Sequence, residues 1–128
     1  MKRLPESELE IMMIIWSSKE PMSVNEILEK MARDKDLTIG ALHSYMKRLV
    51  GKGFLKCCKR GKQNVYAALV TQEEYQEIES GTVLKQLYNG SLKSFVAALY
   101  NSDQITQGDV DELREFIDSF SEKGDDMQ

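Results

Sequence analysis

The chain has 128 residues and a mass of 14.7 kDa. That is room for one domain of ordinary size, or a small domain with an appendage, and too little for an α/β barrel or a multidomain enzyme. Its composition, 41% hydrophobic and 30% charged with 2 Pro and 8 Gly, is that of a globular chain rather than a disordered one. No apolar run approaches the roughly 18 residues a membrane span needs. Lys2 and Arg3 are followed by no apolar segment, so no secretory signal is read. Cys57 and Cys58 are adjacent, and neighbours on a strand point to opposite faces, so a mutual disulfide is strained. These features together point to a cytoplasmic protein.

The net charge of −4 hides an asymmetry. Residues 1–70 carry 13 Lys+Arg against 8 Asp+Glu, a balance of +5, whereas residues 71–128 carry 4 against 13, a balance of −9. Between residues 37 and 66 stand Lys47, Arg48, Lys52, Lys56, Lys59, Arg60 and Lys62, with no acidic residue among them. Such a segment seeks an anion, and the acidic half repels one.

Taken in chain order, Leu9, Met12, Met13 and Trp16 recur at i, i+3, i+4, i+7 and predict a helix over about 6–18. Pro5 suits its first turn, and Glu6, Glu8 and Glu10 suit the positive end of its dipole. Ser23-Val-Asn-Glu26 is a capping box for a second helix, about 24–33, with Val24, Ile27, Leu28 and Met31 on one face. A short turn over 34–37 leads to Thr38, the N-cap of a third helix over about 39–52. Leu42, Tyr45 or Met46, and Leu49 form its apolar face; Gly40, Ala41, His43, Ser44, Lys47 and Arg48 form the other. Gly51 and Gly53 stop it. The runs Phe54–Arg60 and Gln63–Leu69 then flank the basic turn Lys59-Arg60-Gly61-Lys62, which predicts a β-hairpin.

Thr71-Gln-Glu-Glu74 is a second capping box, opening a helix over about 72–88. Asn89-Gly90 breaks it, a short helix follows over 91–100, and Thr106 caps a last helix over 107–121, with a frayed tail beyond. The fold class is therefore mainly α with a small β-hairpin. A winged helix-turn-helix domain, residues 1–70, precedes a helical dimerisation domain, residues 71–128.

This order carries a function. A helix fits the major groove and presents side chains to base edges, while a basic loop beside it touches phosphates. The candidate contacts to double-stranded DNA are Thr38, Gly40, Ala41, His43, Ser44, Lys47 and Arg48 on the third helix, with Lys59, Arg60, Gly61 and Lys62 at the hairpin tip. The second half has narrow apolar stripes that cannot close a core of their own. Leu84, Leu87, Leu92, Phe95, Val96, Leu99, Val110, Leu113, Phe116, Ile117 and Phe120 are the candidate dimerisation residues, with Val110, Leu113, Ile117 and Phe120 stepping by 3, 4 and 3 as in a coiled-coil seam. A two-fold dimer places its two recognition helices on half-sites about 10–10.5 bp apart, hence a palindromic operator.

Catalytic chemistry finds no constellation: there is no Gly-rich phosphate loop, and the lone His43 has neither the partners of a nucleophilic set nor those of a metal site. No cofactor is expected. Alternative readings of the same pattern are a ligand- or metal-responsive regulator and a winged-helix protein-interaction module.

The stretches Glu8–Trp16, Val24–Ile27, Tyr45–Leu55, Gly61 with Val65-Tyr66, Val70–Tyr75, Tyr88–Val96, and Ile105 with Asp111–Arg114 together resemble the BlaI/MecI/CopY family of penicillinase and methicillin-resistance repressors. The resemblance implies a dimeric winged-helix repressor of resistance genes, released from its operator by a partner protease, a membrane-bound sensor in the β-lactam systems, or by a metal. Where the family opens its third helix with Trp-Ser-Pro-Lys-Thr, this chain has Leu37-Thr38-Ile39-Gly40-Ala41. The family's Asn-Phe cleavage pair falls on Ala98-Leu99, and the Cys-x-Cys tail of the copper-responsive members is absent.

Overall fold

The computed structural model describes residues 3–31 and 37–127, the last seven as helix backbone. Six helices and one hairpin follow in the order α1 (Glu6–Trp16), α2 (Val24–Lys30), α3 (Ile39–Gly51), β1 (Leu55–Arg60), β2 (Gln63–Ala68), α4 (Gln72–Tyr88), α5 (Leu92–Asn101) and α6 (Gln107–Met127). The chain divides into two compact units, 1–80 and 81–128, and the division falls within α4.

The first unit is a winged helix. Its core joins Ile11, Met12 and Ile15 of α1, Val24 and Ile27 of α2, Leu42, Met46 and Leu49 of α3, and Phe54 and Leu55 at the start of the hairpin. The phase of α1 differs from the expected one. The buried stripe is Glu8, Ile11, Met12 and Ile15, while Met13 is exposed and Leu9 and Trp16 are only partly covered. Ile11 through Trp16 is apolar all round, so the charge on Glu8 masked the true phase by one residue. Pro5 is the N-cap rather than the first helical residue, and its carbonyl accepts from Leu9 N–H at 2.9 Å.

Glu8 is 2% exposed, and its carboxylate accepts a hydrogen bond from Lys52 Nζ at 2.6 Å. Lys52 is also the C-cap of α3, where a cation complements the helix dipole. The pair thus ties the end of α3 to α1. α3 then closes in a Schellman turn: Phe54 N–H donates to the Leu49 carbonyl at 2.9 Å and Gly53 N–H to that of Val50 at 3.1 Å. Gly53 sits at φ +83°, a conformation glycine adopts without penalty.

Three further caps form as their sequences dictate. Ser23 and Glu26 close a reciprocal capping box on α2, the Thr38 hydroxyl accepts from Ala41 N–H at 3.1 Å, and Thr71 pairs with Glu74 at the start of α4. α2 ends at Lys30, not residue 33, because Met31 is already extended at ψ 151°. The expected turn at 34–36 lies outside the described residues.

β1 and β2 pair antiparallel from Leu55↔Ala68 to Arg60↔Gln63, leaving the two-residue turn Gly61-Lys62 with Gly61 at φ +67°. Met22 joins the open edge of β2 by exchanging two backbone bonds with Tyr66 at 2.8 and 3.0 Å. At the tip, the Arg60 guanidinium pairs with Glu26, the same carboxylate that completes the α2 capping box. Hydrogen bonding from Arg60, then from Ser23, holds the Glu26 carboxyl below its ordinary value of 4.5. The hairpin is therefore clasped to α2.

The first turns of α4 belong to this unit. Tyr75 is buried, its ring lies 5.8 Å from those of both Trp16 and Phe54, and its hydroxyl accepts from Leu4 N–H at 2.9 Å. Trp16 donates its indole N–H to the Val70 carbonyl at 2.8 Å.

The second unit, described by itself, is helical. Ser91 caps α5 and Thr106 and Asp109 cap α6. α5 buries none of its residues. Tyr88 and Phe95 meet at 5.1 Å, and Phe116 and Phe120 meet edge to face at 4.4 Å on α6. Where the sequence led to a helix end near 121 and a frayed tail, α6 runs on to Met127: the segment holds weak helix formers such as Gly124 and Asp125 but no proline to stop it.

Two outcomes follow. Lys52→Ala strands a buried carboxylate and lowers stability by roughly 2 kcal/mol, read as a shifted midpoint in urea denaturation. Arg60→Gln removes the main cause of the Glu26 shift, so the NMR titration midpoint of that carboxyl rises toward 4.5. The sign is that of a depressed carboxylate: the clasp is intact above the ordinary carboxylate range and is lost as pH falls through the lowered value.

Candidate nucleic-acid interface

α3 is divided lengthwise. Leu42, Met46 and Leu49 are fully buried on one arc, and the opposite arc leaves Gly40, His43, Ser44, Lys47 and Arg48 exposed, with Ala41 half-buried at its margin. The division follows from helical period: positions 42, 46 and 49 step by 4 and 3, and the polar set fills the remaining turn. Thr38 is exposed but committed to the cap. Ser44 turns its hydroxyl back to the Gly40 carbonyl at 3.3 Å. The Arg48 guanidinium lies over the Tyr45 ring, 5.5 Å from its centre, one helical turn away.

The structure sorts the basic segment. Lys52 is tied to Glu8 and Arg60 to Glu26, so neither is a loose cation. Lys47, Lys56, Lys59 and Lys62 are exposed and have no carboxylate partner among the described residues. The register separates the tip residues by face: Lys59 shares a side of the hairpin with Asn64, Cys57 and Tyr66, while Arg60 shares the other with Gln63, Cys58 and buried Val65. Gly61 and Lys62 form the turn between them. Sequence reasoning grouped Arg60 with its basic neighbours because Glu26 is 34 positions away.

Four residues outside the expected set join this surface. Asn25, Ile39, Gln63 and Asn64, with His43, Ser23 and Val24, line a shallow cavity of about 210 Å³ between the start of α2, the start of α3 and β2. Ile39 is 48% exposed at the first position of α3. It is a large apolar residue, and the sequence reading took none of these as a contact, only polar residues and the small Gly40, Ala41 and Gly61. Both thiols are free, Cys57 exposed and Cys58 half-buried, as alternation along a half-covered strand requires. Burial, then the neighbouring Cys57, pushes the Tyr66 phenol up.

The remaining sequence-selected residues lie at the end of α4 and on α5 and α6. Leu87, Leu92, Phe116, Ile117 and Phe120 are exposed at 45–66%. Leu84, Phe95, Val96, Leu99, Val110 and Leu113 are half-covered. Ala98 and Leu99 lie in the last turns of α5, where their carbonyls accept from Ser102 N–H at 3.1 Å and Gln104 N–H at 3.0 Å. Among the described residues no three His, Cys, Asp or Glu side chains are grouped to hold a metal ion, and no helix is long and apolar enough to cross a membrane.

Comparison with known proteins gives this frame a lineage. The penicillinase repressor of Bacillus licheniformis is 28% identical over 121 residues, covering 92% of this chain and 94% of that protein. The methicillin resistance regulatory protein MecI of Staphylococcus aureus strain N315 is 29% identical over 111 residues, 87% and 89% of the two chains. Among solved structures, the DNA binding domain of the repressor BlaI aligns at 26% identity with a TM-score of 0.49, covering 59% of this chain and 94% of that one. These relatives are repressors, not enzymes. The family model described as penicillinase repressor matches residues 4–119, nearly the whole chain, and the chain belongs to that family.

Proposed function

We propose that this chain is a homodimeric repressor that binds a palindromic operator in double-stranded DNA, with α3 in the major groove and the hairpin tip on the backbone. The observation that carries this reading is the bare cationic surface: Lys47 and Arg48 on the outer arc of α3, with Lys59 and Lys62 at the tip, stand exposed in a segment holding no acid. The clasp between Arg60 and Glu26 supports it, since a hairpin held in place presents its lysines at a fixed distance from α3. Arg60 acts in this reading by positioning the tip.

Dimerisation is supported by the second unit. On α5 no residue is fully buried within its own chain: Leu92 is exposed and Phe95, Val96 and Leu99 are half-covered, which leaves apolar surface for a second copy. Phe116, Ile117 and Phe120 extend the same chemistry along α6. The names of the relatives, a penicillinase repressor and a methicillin resistance regulator, support a resistance or stress gene as the target. Release by a membrane-bound sensor protease acting at Ala98–Leu99 requires α5 to unwind locally first, because both carbonyls are committed to the helix end.

Purified protein mixed with fragments of its own promoter shifts a specific fragment, with an affinity that falls steeply across a salt series. Lys59→Glu with Lys62→Glu abolishes that shift at about 0.15 M salt, and unchanged binding refutes the role of the tip. Leu113→Asp with Ile117→Asp yields monomers in sedimentation; a surviving dimer places the interface elsewhere.

A further inference from the structure

We infer that Ile39 reads the 5-methyl group of a thymine, making it a sequence-determining residue of this chain's DNA surface. This rests on the operator-binding reading above and deepens it.

Ile39 is the first residue of α3, directly after the Thr38 cap. It is 48% exposed, although the arc of α3 that faces the core is fully buried. On a 3.6-residue period His43 stands one turn beyond it and Lys47 two turns beyond it, so one row along the helix offers an apolar, a polar and a cationic side chain in succession. The next two positions are Gly40 and Ala41, whose small side chains leave the Ile39 side chain unshielded by its neighbours in sequence. An added Cβ at Gly40 meets only the Thr38 hydroxyl, at 3.9 Å, so that part of the surface is open.

The chemistry of the occupant follows. The cations flanking the row draw a polyanion to it. The end of a recognition helix that enters the major groove first is its N-terminus, and that is where Ile39 sits. The base edges in the major groove are hydrogen-bonding groups with one exception, the C5-methyl of thymine. An isoleucine can make no hydrogen bond, so the thymine methyl is the group in that groove it can recognise. Asn25, Gln63 and Asn64 share the shallow cavity with Ile39 and His43, so side chains able to bond the sugar-phosphate backbone stand beside the residue proposed to meet that base.

The test uses the full chain and duplexes selected by it from a random-sequence library. At each thymine of the enriched sequence, deoxyuridine is substituted, which removes only the methyl group. Wild-type protein loses about fourfold in affinity at one thymine per half-site, the value of one buried methyl group. Ile39→Ala binds the thymine and uracil duplexes equally, and Ile39→Val retains most of the difference. Thermal unfolding of both variants matches the wild type, since the residue is exposed. Uracil substitution without effect at every position, or with the same effect in Ile39→Ala, overturns the inference while operator binding stands. Failure to enrich any sequence at low salt overturns the operator-binding reading itself, and this inference with it.

Discussion

A carboxylate removed from water must find a cation, and Glu8 finds Lys52. That contact joins the first turn of α1 to the last turn of α3, fixing both the tilt of α3 and the point at which the chain leaves for the hairpin. The Schellman turn follows at once, and the hairpin begins two residues after its glycine. Everything that faces outward from α3 inherits its orientation from this junction. The second carboxylate, Glu26, acts at the other end of the hairpin by holding Arg60. Two acids lying outside the basic segment thus pair two of its cations, Lys52 and Arg60.

Much of this was legible beforehand, and the reasons are local. Caps are read within four residues, so Ser23, Thr38, Thr71 and Thr106 were found where they act. The hairpin was legible because Gly61 and Lys62 separate two short runs with the right turn length. The arc of α3 followed from period alone. What escaped was long-range or unphased. Glu8 read as a dipole complement because its partner lies 44 residues away. The stripe on α1 was taken one residue late because Ile11-Met-Met-Ile-Ile-Trp16 gives no polar residue to mark its phase. The extent of α6 depends on weak helix formers without a stop signal, which a rule based on stop signals misjudges.

At the candidate surface the sequence reading took polar and small residues as contacts, Lys47, His43 and the tip lysines among them, and passed over Ile39. Nucleic acid is not uniformly polar in its grooves, so an exposed aliphatic residue on a cationic face carries as much meaning as a charge. Ile39, Gly40 and Ala41 stand side by side at the start of α3, where one large apolar residue is followed by two small ones.

The bare apolar stripe of α5 sets a relation between abundance and survival. A helix whose apolar residues are at most half-covered inside its own chain gains little stability from folding alone, and what it would gain from a second copy grows with the concentration of that copy. In the dimer proposed above, scarce chains would present unwound backbone to a protease and abundant chains would protect one another, so that supply would feed back on lifetime through the hydrophobic surface rather than through an effector site.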